Sequence, residues 1–305
     1  MTKNDQILEE ITINELVELL DDCTSPMEYR NILKEYEDRS LTGTAEDFHN
    51  LSVQLARHRL YTEACRVLEK GLSFPQYAKD VDLIADYLIY GIKCDCFSKC
   101  EVYYQRLLEI PRRRWKWRAY DFSVDYLMKK AENISNDDEL DKAIAEMHQI
   151  ATQYLESHPD SEGGYVVKAS IYSFCNDMKN ARDVLQKAVD NINRAPKCNL
   201  KLADIAFDKG EYDQARAYLE KAKQFAIGKD SSISQSYVYY LDFICLANIL
   251  HEPSVLLDDM KVKELKSLYE QTEIVLNQNE ADSSWLETVE QQYQMLIAKL
   301  GLADE

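Results

Sequence analysis

The stretch Leu202–Ala222 (LADIAFDKGEYDQARAYLEKA) constrains the fold of this chain more than any other segment. Its pattern predicts one helix, a tight turn at Gly210 and a second helix. Small residues (Ala203, Ala215 and Ala222) lie where the two helices must approach closely. Larger residues fill the space between the helices: Leu202, Tyr212 and Leu219. Because one hairpin cannot bury its apolar face alone, the sequence must contain neighbouring hairpins.

This order of residues resembles the tetratricopeptide repeat, whose motif places small, aromatic and glycine residues in the same succession. Similar units align on the small residue that opens each second helix: Ala64, Cys100, Ala143, Ala181 and Ala215. These residues are 36, 43, 38 and 34 positions apart, and the last spacing equals the usual period of the family. The resemblance covers residues 45–276, about three quarters of the chain.

The resemblance implies an all-α fold: a right-handed superhelical solenoid of stacked antiparallel helix pairs. We expect about six to seven hairpins and a C-terminal capping helix. The predicted segments are an N-terminal helical cap at 1–44, the repeat array at 45–276 and the capping helix at 277–305. Within the array, residues 112–159 form an irregular unit with a longer first helix. The flanking helices are predicted at Ile7–Leu20, Ser25–Tyr36 and Trp285–Leu300.

The formal net charge is −18, and the two ends carry most of it. Residues 1–45 hold 11 acidic and 4 basic residues, and residues 251–305 hold 12 and 4. A broad basic surface that binds nucleic acid is therefore not expected. The acidic ends either keep the protein soluble or bind a basic partner. Because the first ten residues lack a signal-peptide layout and no apolar run approaches 18 residues, we expect a cytoplasmic protein with no membrane span and reduced cysteines.

The sequence contains no recognisable catalytic constellation. None of its five histidines lies in a metalloprotease-type or nucleophile motif, and no glycine-rich phosphate loop is present. We therefore expect no enzymatic activity, no cofactor and no metal. Cys94, Cys96 and Cys100 form a CxCxxxC pattern, but no second pair lies nearby in sequence, so packing is favoured while metal binding and redox sensing stay open.

The segment Pro111–Tyr120 (PRRRWKWRAY) concentrates five cations and two tryptophans in an otherwise acidic chain. Trp115 is predicted to fill the core. The cations either form a solvated helix start or recognise a partner, since arginine pairs with carboxylate or phosphate and Trp117 can stack on a cation or base. A cationic first turn opposes the helix dipole, which favours a functional cause.

In the tetratricopeptide family, the first helix of each pair contributes to a concave ligand-binding face. Carried onto this chain, the resemblance implies a groove that is cationic near its middle and acidic toward its C-terminal half. The same register places His49, Asp82 and Asp242 on this face. The candidate binding residues are Arg57, Lys93, Arg113, Lys116, Trp117, Tyr120, Phe174, Asp204, Phe207 and Asp208. Such a groove suits an extended peptide or a helix with oppositely charged ends.

These observations favour a non-catalytic scaffold or adaptor that binds a protein or peptide through the concave groove. Two alternatives stay open. One is a ligand-sensing regulator that binds a short peptide and changes its superhelix curvature; the other is an accessory subunit of a larger enzyme or defence complex. The expected partner is a protein or peptide, with basic segments among the candidates, and neither nucleic acid nor membrane. The sequence does not indicate the oligomeric state.

Overall fold

The computed structural model describes residues 11–21, 23, 25–35, 41–225, 233–255, 258–279 and 281–299. Within these residues the chain forms fifteen α-helices, which confirms the all-α prediction. The helices are α1 Ile13–Asp21, α2 Pro26–Glu35, α3 Ala45–Arg57, α4 Tyr61–Ser73, α5 Val81–Lys93, α6 Phe97–Leu108, α7 Trp117–Ala131, α8 Asp137–Ser157, α9 Glu162–Phe174, α10 Met178–Asn191, α11 Pro196–Asp208, α12 Tyr212–Lys223, α13 Gln235–His251, α14 Asp259–Gln278 and α15 Ser283–Lys299. Two short strands, β1 Ile11–Thr12 and β2 Leu41–Thr42, pair in parallel.

The helices pack as neighbouring pairs within two compact units, Met1–Ser157 and His158–Glu305. The division falls inside the predicted repeat array, so the array is built from two separate sets of hairpins. The prediction of caps at 1–44 and 277–305 stays a prediction. The start of the predicted helix Ile7–Leu20, together with Tyr36, Leu300 and the C-terminal Gly301, lies outside the described residues.

The irregular unit at 112–159 gains most of its extra length in the second helix. The first helix, α7, has 15 residues, whereas α8 has 21. The segment before α7 forms a short 3-10 helix at Arg112–Arg114 followed by extended residues, which delays the start of α7. Even so, α7 is longer than α3, α5, α9 and α11, which have 13 residues each, as the prediction of a longer first helix requires.

Side-chain caps begin several of the helices. Ser25 Oγ accepts a hydrogen bond from the Glu28 amide at 3.3 Å, at the start of α2. Asp258 accepts from the Lys261 amide at 2.9 Å, at the start of α14. Each cap satisfies an amide that has no partner inside its helix, which stabilises the helix start by about 1 kcal/mol.

The same turn closes four hairpins. One residue in each turn has a positive φ: Arg59 at 60°, Asp95 at 56°, Asn176 at 58° and Gly210 at 74°. The amide of the next residue donates a hydrogen bond to the carbonyl five residues before it. In the α5–α6 turn, for example, the Cys96 amide donates to the Gly91 carbonyl at 2.8 Å. This is the Schellman arrangement, which ends a helix sharply and sends the chain back along it.

The five residues used to align the repeats are all buried where the helices of a pair meet: Ala64, Cys100, Ala143, Ala181 and Ala215. Close approach requires small side chains at such positions. Gly71 on α4 illustrates how close it is, because a Cβ added there would lie 2.9 Å from the Phe48 ring on α3. The predicted register is thus matched by the packing in both units.

Glu101 on α6 helps to hold α7 in place. Its carboxylate accepts hydrogen bonds from Tyr126 Oη, from Lys130 Nζ at 2.7 Å and from Gln105 Nε2 at 2.8 Å. Burial alone would raise the pKa of Glu101, but these three donors outweigh it and lower the pKa to about 2. The ionised carboxylate therefore contributes to the packing of α6 against α7.

We predict that the wild type loses more stability in acid than Glu101→Gln does. Because the pKa of Glu101 is lower in the folded protein, its contribution is complete above the unfolded value of about 4.3 and disappears as the pH falls toward 2. The side chain is 39% exposed, so the difference at neutral pH should stay below about 1 kcal/mol. Urea unfolding of both proteins between pH 6 and pH 2.5 would measure it. A difference that does not shrink in acid would contradict the ionic contribution.

Candidate functional site

The first helices of three pairs in the first unit, α3, α5 and α7, pack side by side. In the first two turns of each helix, a polar side chain meets the other two: His49 on α3, Asp86 on α5 and Arg118 on α7. These residues, with Asp82 and Lys116, define what we call the α3–α5–α7 face. It includes the part of the groove that the sequence predicts to be cationic.

Asp86 is the centre of this polar cluster. Its side chain is only 1% exposed, so its charge requires partners. Asp86 Oδ2 contacts His49 Nδ1, and Asp86 Oδ1 accepts from Arg118 Nη1 at 3.3 Å. Arg118 Nη1 also lies 2.8 Å from His49 Nε2. These contacts fit a His49 ring that donates from Nδ1 to Asp86 and accepts at Nε2 from Arg118.

A more exposed ion pair lies one turn nearer the helix starts. Lys116 Nζ, at the start of α7, bonds Asp82 Oδ2 in the first turn of α5. The hydrogen bond with Asp82 raises the pKa of Lys116. The Lys116 side chain is 67% exposed, so the ammonium keeps most of its access to solvent. Exposed pairs of this kind contribute little stability and leave the cation available to a competing carboxylate.

The two tryptophans of this segment have different environments. Trp115 is buried, and its Nε1 donates to the Ile110 carbonyl at 3.2 Å, so it is a core residue. Trp117 is 44% exposed. The Arg118 guanidinium carbon lies 5.2 Å from the centre of the Trp117 ring, within the range of a cation–π contact. The Asp86–His49–Arg118 cluster therefore also positions an exposed indole.

A cleft of about 460 Å³ adjoins the Asp82–Lys116 pair. It lies between the loop that ends at Asp80 and the segment containing Arg114 and Lys116. Lys79 also lines it, so three cations surround the cleft. The Asp80 carboxylate accepts from the amides of α5, which partly satisfies its negative charge. The cleft is therefore suited to an acidic side chain.

Other residues predicted for the groove lie apart from this cluster. Arg57 and Lys93 are exposed at the C-terminal ends of α3 and α5. Lys93 is eleven residues beyond Asp82, which corresponds to about 16 Å along the helix. Arg113 is exposed in the 3-10 helix. The predicted cations thus extend along the face and do not converge on one point.

Tyr120 is a core residue and not a surface contact. Its side chain is 0% exposed and stacks on Tyr154, with ring centres 4.9 Å apart. Its hydroxyl donates to the Arg112 carbonyl at 3.0 Å. The assignment of Tyr120 to partner binding is therefore corrected: the ring packs between α7 and α8, where a partner cannot contact it.

In the second unit, the predicted aromatic residues are only partly available. Phe174 and Phe207 are both half-buried, and Phe207 packs against Tyr212 with ring centres 5.6 Å apart. Asp204 accepts from Tyr237 Oη at 2.8 Å, and burial raises the pKa of Asp204. Asp208 is exposed. The acidic character predicted for this part of the groove is thus provided mainly by Asp208.

Asp242, which the repeat register assigns to the groove, is buried instead. It binds Arg216 Nε at 2.7 Å and Lys223 Nζ, both on α12. The assignment was wrong because α13 packs this side of the helix against α12. A buried carboxylate with two cations is a structural ion cluster within the second unit.

Sequence reasoning missed Asp86 and Arg118. The available signal was an aspartate inside the otherwise apolar stretch Leu83–Ile89 of α5, because a buried acid requires a cation nearby. Arg118 could not be chosen from five neighbouring cations without the helix register.

Of these five, Arg112 packs its guanidinium 4.0 Å from the Trp115 ring, and burial lowers the pKa of Arg112.

Among the described residues, no group of three or more His, Cys, Asp or Glu side chains has an arrangement that could hold a metal ion. Across the same part of the chain, no helix has both the length and the apolar character needed to cross a bilayer.

Comparison with known proteins agrees with this architecture. The tetratricopeptide repeat family model matches residues 163–192 and 196–226, the region of α9 to α12. A thermophilic tetratricopeptide repeat protein of Thermus thermophilus is 14% identical, with a TM-score of 0.53 over 66% of this chain and 98% of that chain. No curated protein matches the sequence.

Two further solved structures show weaker similarity. PilF of Pseudomonas aeruginosa is 14% identical, with a TM-score of 0.47 over 81% of this chain and 96% of that chain. Human IFIT1, solved as a dimer with m7Gppp-AAAA, is 13% identical, with a TM-score of 0.46 over 95% of this chain and 62% of that chain. These TM-scores are too low to support an argument about function.

The paired helices, their repeated turns and the similarity to the Thermus thermophilus structure define a helical repeat protein. Within it, α9 to α12 contain the two tetratricopeptide repeats that the family model matches. Such repeats generally serve as non-catalytic scaffolds for protein interaction.

Proposed function

We propose that this protein is a non-catalytic scaffold that binds a partner protein or peptide on the α3–α5–α7 face. The observation that carries the proposal is the exposed Trp117 indole, which Arg118 contacts and the Asp86 cluster positions. Tryptophan and arginine are enriched among the residues that dominate binding energy at protein interfaces. Since Arg118 is already held in place, less side-chain freedom is lost when a partner binds.

The charge around Trp117 indicates the chemistry of the partner. Lys116, Arg113 and Arg114 are exposed, and the cleft beside Lys116 is lined by three cations and two aspartates. The α3–α5–α7 face therefore suits a peptide segment with an apolar or aromatic side chain for Trp117 and an acidic residue for the cleft. On the second unit, the exposed Asp208 suits a basic segment of a partner.

We predict that Trp117→Ala weakens partner binding about 30-fold, the loss expected when an interface residue contributing about 2 kcal/mol is truncated. Arg113→Glu with Lys116→Glu should weaken it at least 10-fold, because an acidic segment would meet two carboxylates. The partner is first captured from nuclease-treated host extract with wild-type protein and identified by mass spectrometry, for peptides as well as proteins. Its affinity for each purified variant is then measured by calorimetry.

The matched control is Lys263→Glu with Lys266→Glu, which changes the net charge equally on exposed residues of α14. It should bind like the wild type. Equal affinity for all variants, with helicity preserved, would exclude the α3–α5–α7 face as the binding site. Recovery of a short peptide alone would favour the sensor hypothesis, and recovery of an enzyme in fixed stoichiometry would favour the accessory-subunit hypothesis.

A further inference from the structure

Four thiols gather where α4 meets the turn between α5 and α6. Cys94 and Cys96 lie in that turn, and Cys100 is one turn into α6. The sequence pattern joins these three, but the structure adds Cys65 from α4. The Sγ atoms of Cys65 and Cys94 are 3.8 Å apart although 29 residues separate them in sequence. This distance is close enough for a thiol–thiol hydrogen bond.

The geometry singles out the pair Cys65–Cys94. A disulfide requires an S–S distance of about 2.05 Å, so these two sulfur atoms need to approach by about 2 Å. Cys100 is fully buried and its thiol points to the Leu88 carbonyl, with the sulfur 3.8 Å from the oxygen. Cys96 is separated from Cys94 only by Asp95, which already has a φ of 56° in the turn. A bond between Cys94 and Cys96 would have to close a small ring across that turn.

The environments of the two thiols assign them different roles. Cys94 is half-buried and can meet a small oxidant, whereas Cys65 is 3% exposed. Burial raises the pKa of Cys65, and the adjacent Cys94 raises it further, so Cys65 stays a protonated thiol. The hydrogen bond with Cys94, together with burial, also raises the pKa of Cys96. Because Cys94 is the more accessible of the two sulfurs, it is the first to react, and Cys65 is the second.

We propose that Cys65 and Cys94 are a modification site at which a peroxide forms a reversible disulfide between α4 and the end of α5. The Cys94 thiolate attacks one peroxide oxygen, the O–O bond breaks, and Cys94 becomes a sulfenic acid while the other oxygen leaves as water after protonation. The Cys65 sulfur then attacks the Cys94 sulfur as its proton transfers to the departing oxygen, which leaves as a second water. Two electrons pass from the two sulfurs to hydrogen peroxide.

The test uses the full chain, reduced and then freed of reductant. The folded protein is treated with hydrogen peroxide, quenched with catalase, and alkylated with N-ethylmaleimide in denaturant. We expect the alkylated mass to show six labelled thiols in place of eight, and dithiothreitol to restore all eight. Trypsin should release a linked pair of peptides, 60–66 (LYTEACR) and 94–99 (CDCFSK), which separate on reduction.

Variants distinguish this site from its neighbours. Cys96→Ser should form the same link, whereas Cys65→Ser and Cys94→Ser should each abolish it. Cys175→Ser, which removes an exposed thiol far along the chain, serves as a matched control and should behave like the wild type. Circular dichroism before oxidation checks that each variant is folded.

The proposal is overturned if the peptide link survives in Cys94→Ser, if Cys94 and Cys96 join within the one peptide, or if peroxide leaves all eight thiols labelled. It is equally overturned if Cys94 accumulates as sulfinic acid in the folded wild type with no linked peptide, since Cys65 would then not act as the second thiol.

Discussion

Replacing Asp242 by alanine is expected to lower the free energy of unfolding of the second unit by about 3–5 kcal/mol. The Asp242 side chain is buried and binds both Arg216 and Lys223, whose side chains are largely buried as well. Its removal leaves Lys223 without this carboxylate and leaves Arg216 paired only with the half-exposed Glu264. The loss in free energy of unfolding exceeds the net contribution of the ion cluster. The reason is that a buried cation, once its carboxylate is removed, is shielded from water and has no partner to replace it.

Urea unfolding followed by circular dichroism would measure this loss, and Glu264→Ala supplies the matched control. Glu264 also binds Arg216, at 2.8 Å, but its side chain is about half exposed. Its removal should cost less than about 1 kcal/mol, since water can replace an exposed carboxylate. If Asp242→Ala and Glu264→Ala were equally mild, the Asp242 cluster would have to be far more hydrated than the structure shows.

Replacing Gly91 by alanine is expected to destabilise the first unit by about 1–3 kcal/mol, although the same change inside a helix usually stabilises it. Gly91 lies on α5 where α6 approaches most closely, and a Cβ added there would overlap the Cys100 sulfur. The neighbouring Tyr87 ring lies 3.4 Å from the same position and limits movement to that side. The added methyl group therefore forces α5 and α6 apart.

A second substitution reverses the sign of this prediction. Cys100→Ala removes the overlapping sulfur, so Gly91→Ala in that background should be neutral or stabilising by up to about 1 kcal/mol. The four proteins form a double-mutant cycle, measured by urea unfolding with a reductant present. Additive effects would contradict the close approach of α5 and α6 at this point.

Much of the fold could be predicted from the sequence because small residues, caps and turns repeat along it. Ala215 and Gly210 indicate one hairpin, and similar residues indicate its neighbours. Three of the four Schellman turns are harder to recognise in the sequence. Only the α11–α12 turn has glycine, Gly210, at its left-handed position; the other three have Arg59, Asp95 and Asn176 there. Asparagine and aspartate tolerate this conformation, but they are also common in helices and loops, so the residue type alone does not identify the turn.

The candidate site was less predictable, because exposure depends on the rotation of each helix about its axis. Trp117 and Tyr120 are three residues apart, yet the first is exposed and the second is fully buried. The extended residues Trp115 and Lys116 set the rotation of α7 about its axis, because they determine where the helix begins. The sequence does not indicate that α7 begins at Trp117. Asp86 and Cys65 were missed for a related reason: each acquires its role from residues on other helices, such as Arg118 and Cys94.

The helix α13 has a further consequence for how the second unit can be divided. Its residues Val238, Leu241 and Cys245 belong to the core shared with α9 to α12, while Phe243 and Leu246 belong to the core shared with α14 and α15. A fragment that stops before α13 leaves the first core open to water, and one that stops just after α13 leaves the second core open. Judged from the described helices, a truncation of the second unit on either side of α13 therefore exposes apolar surface.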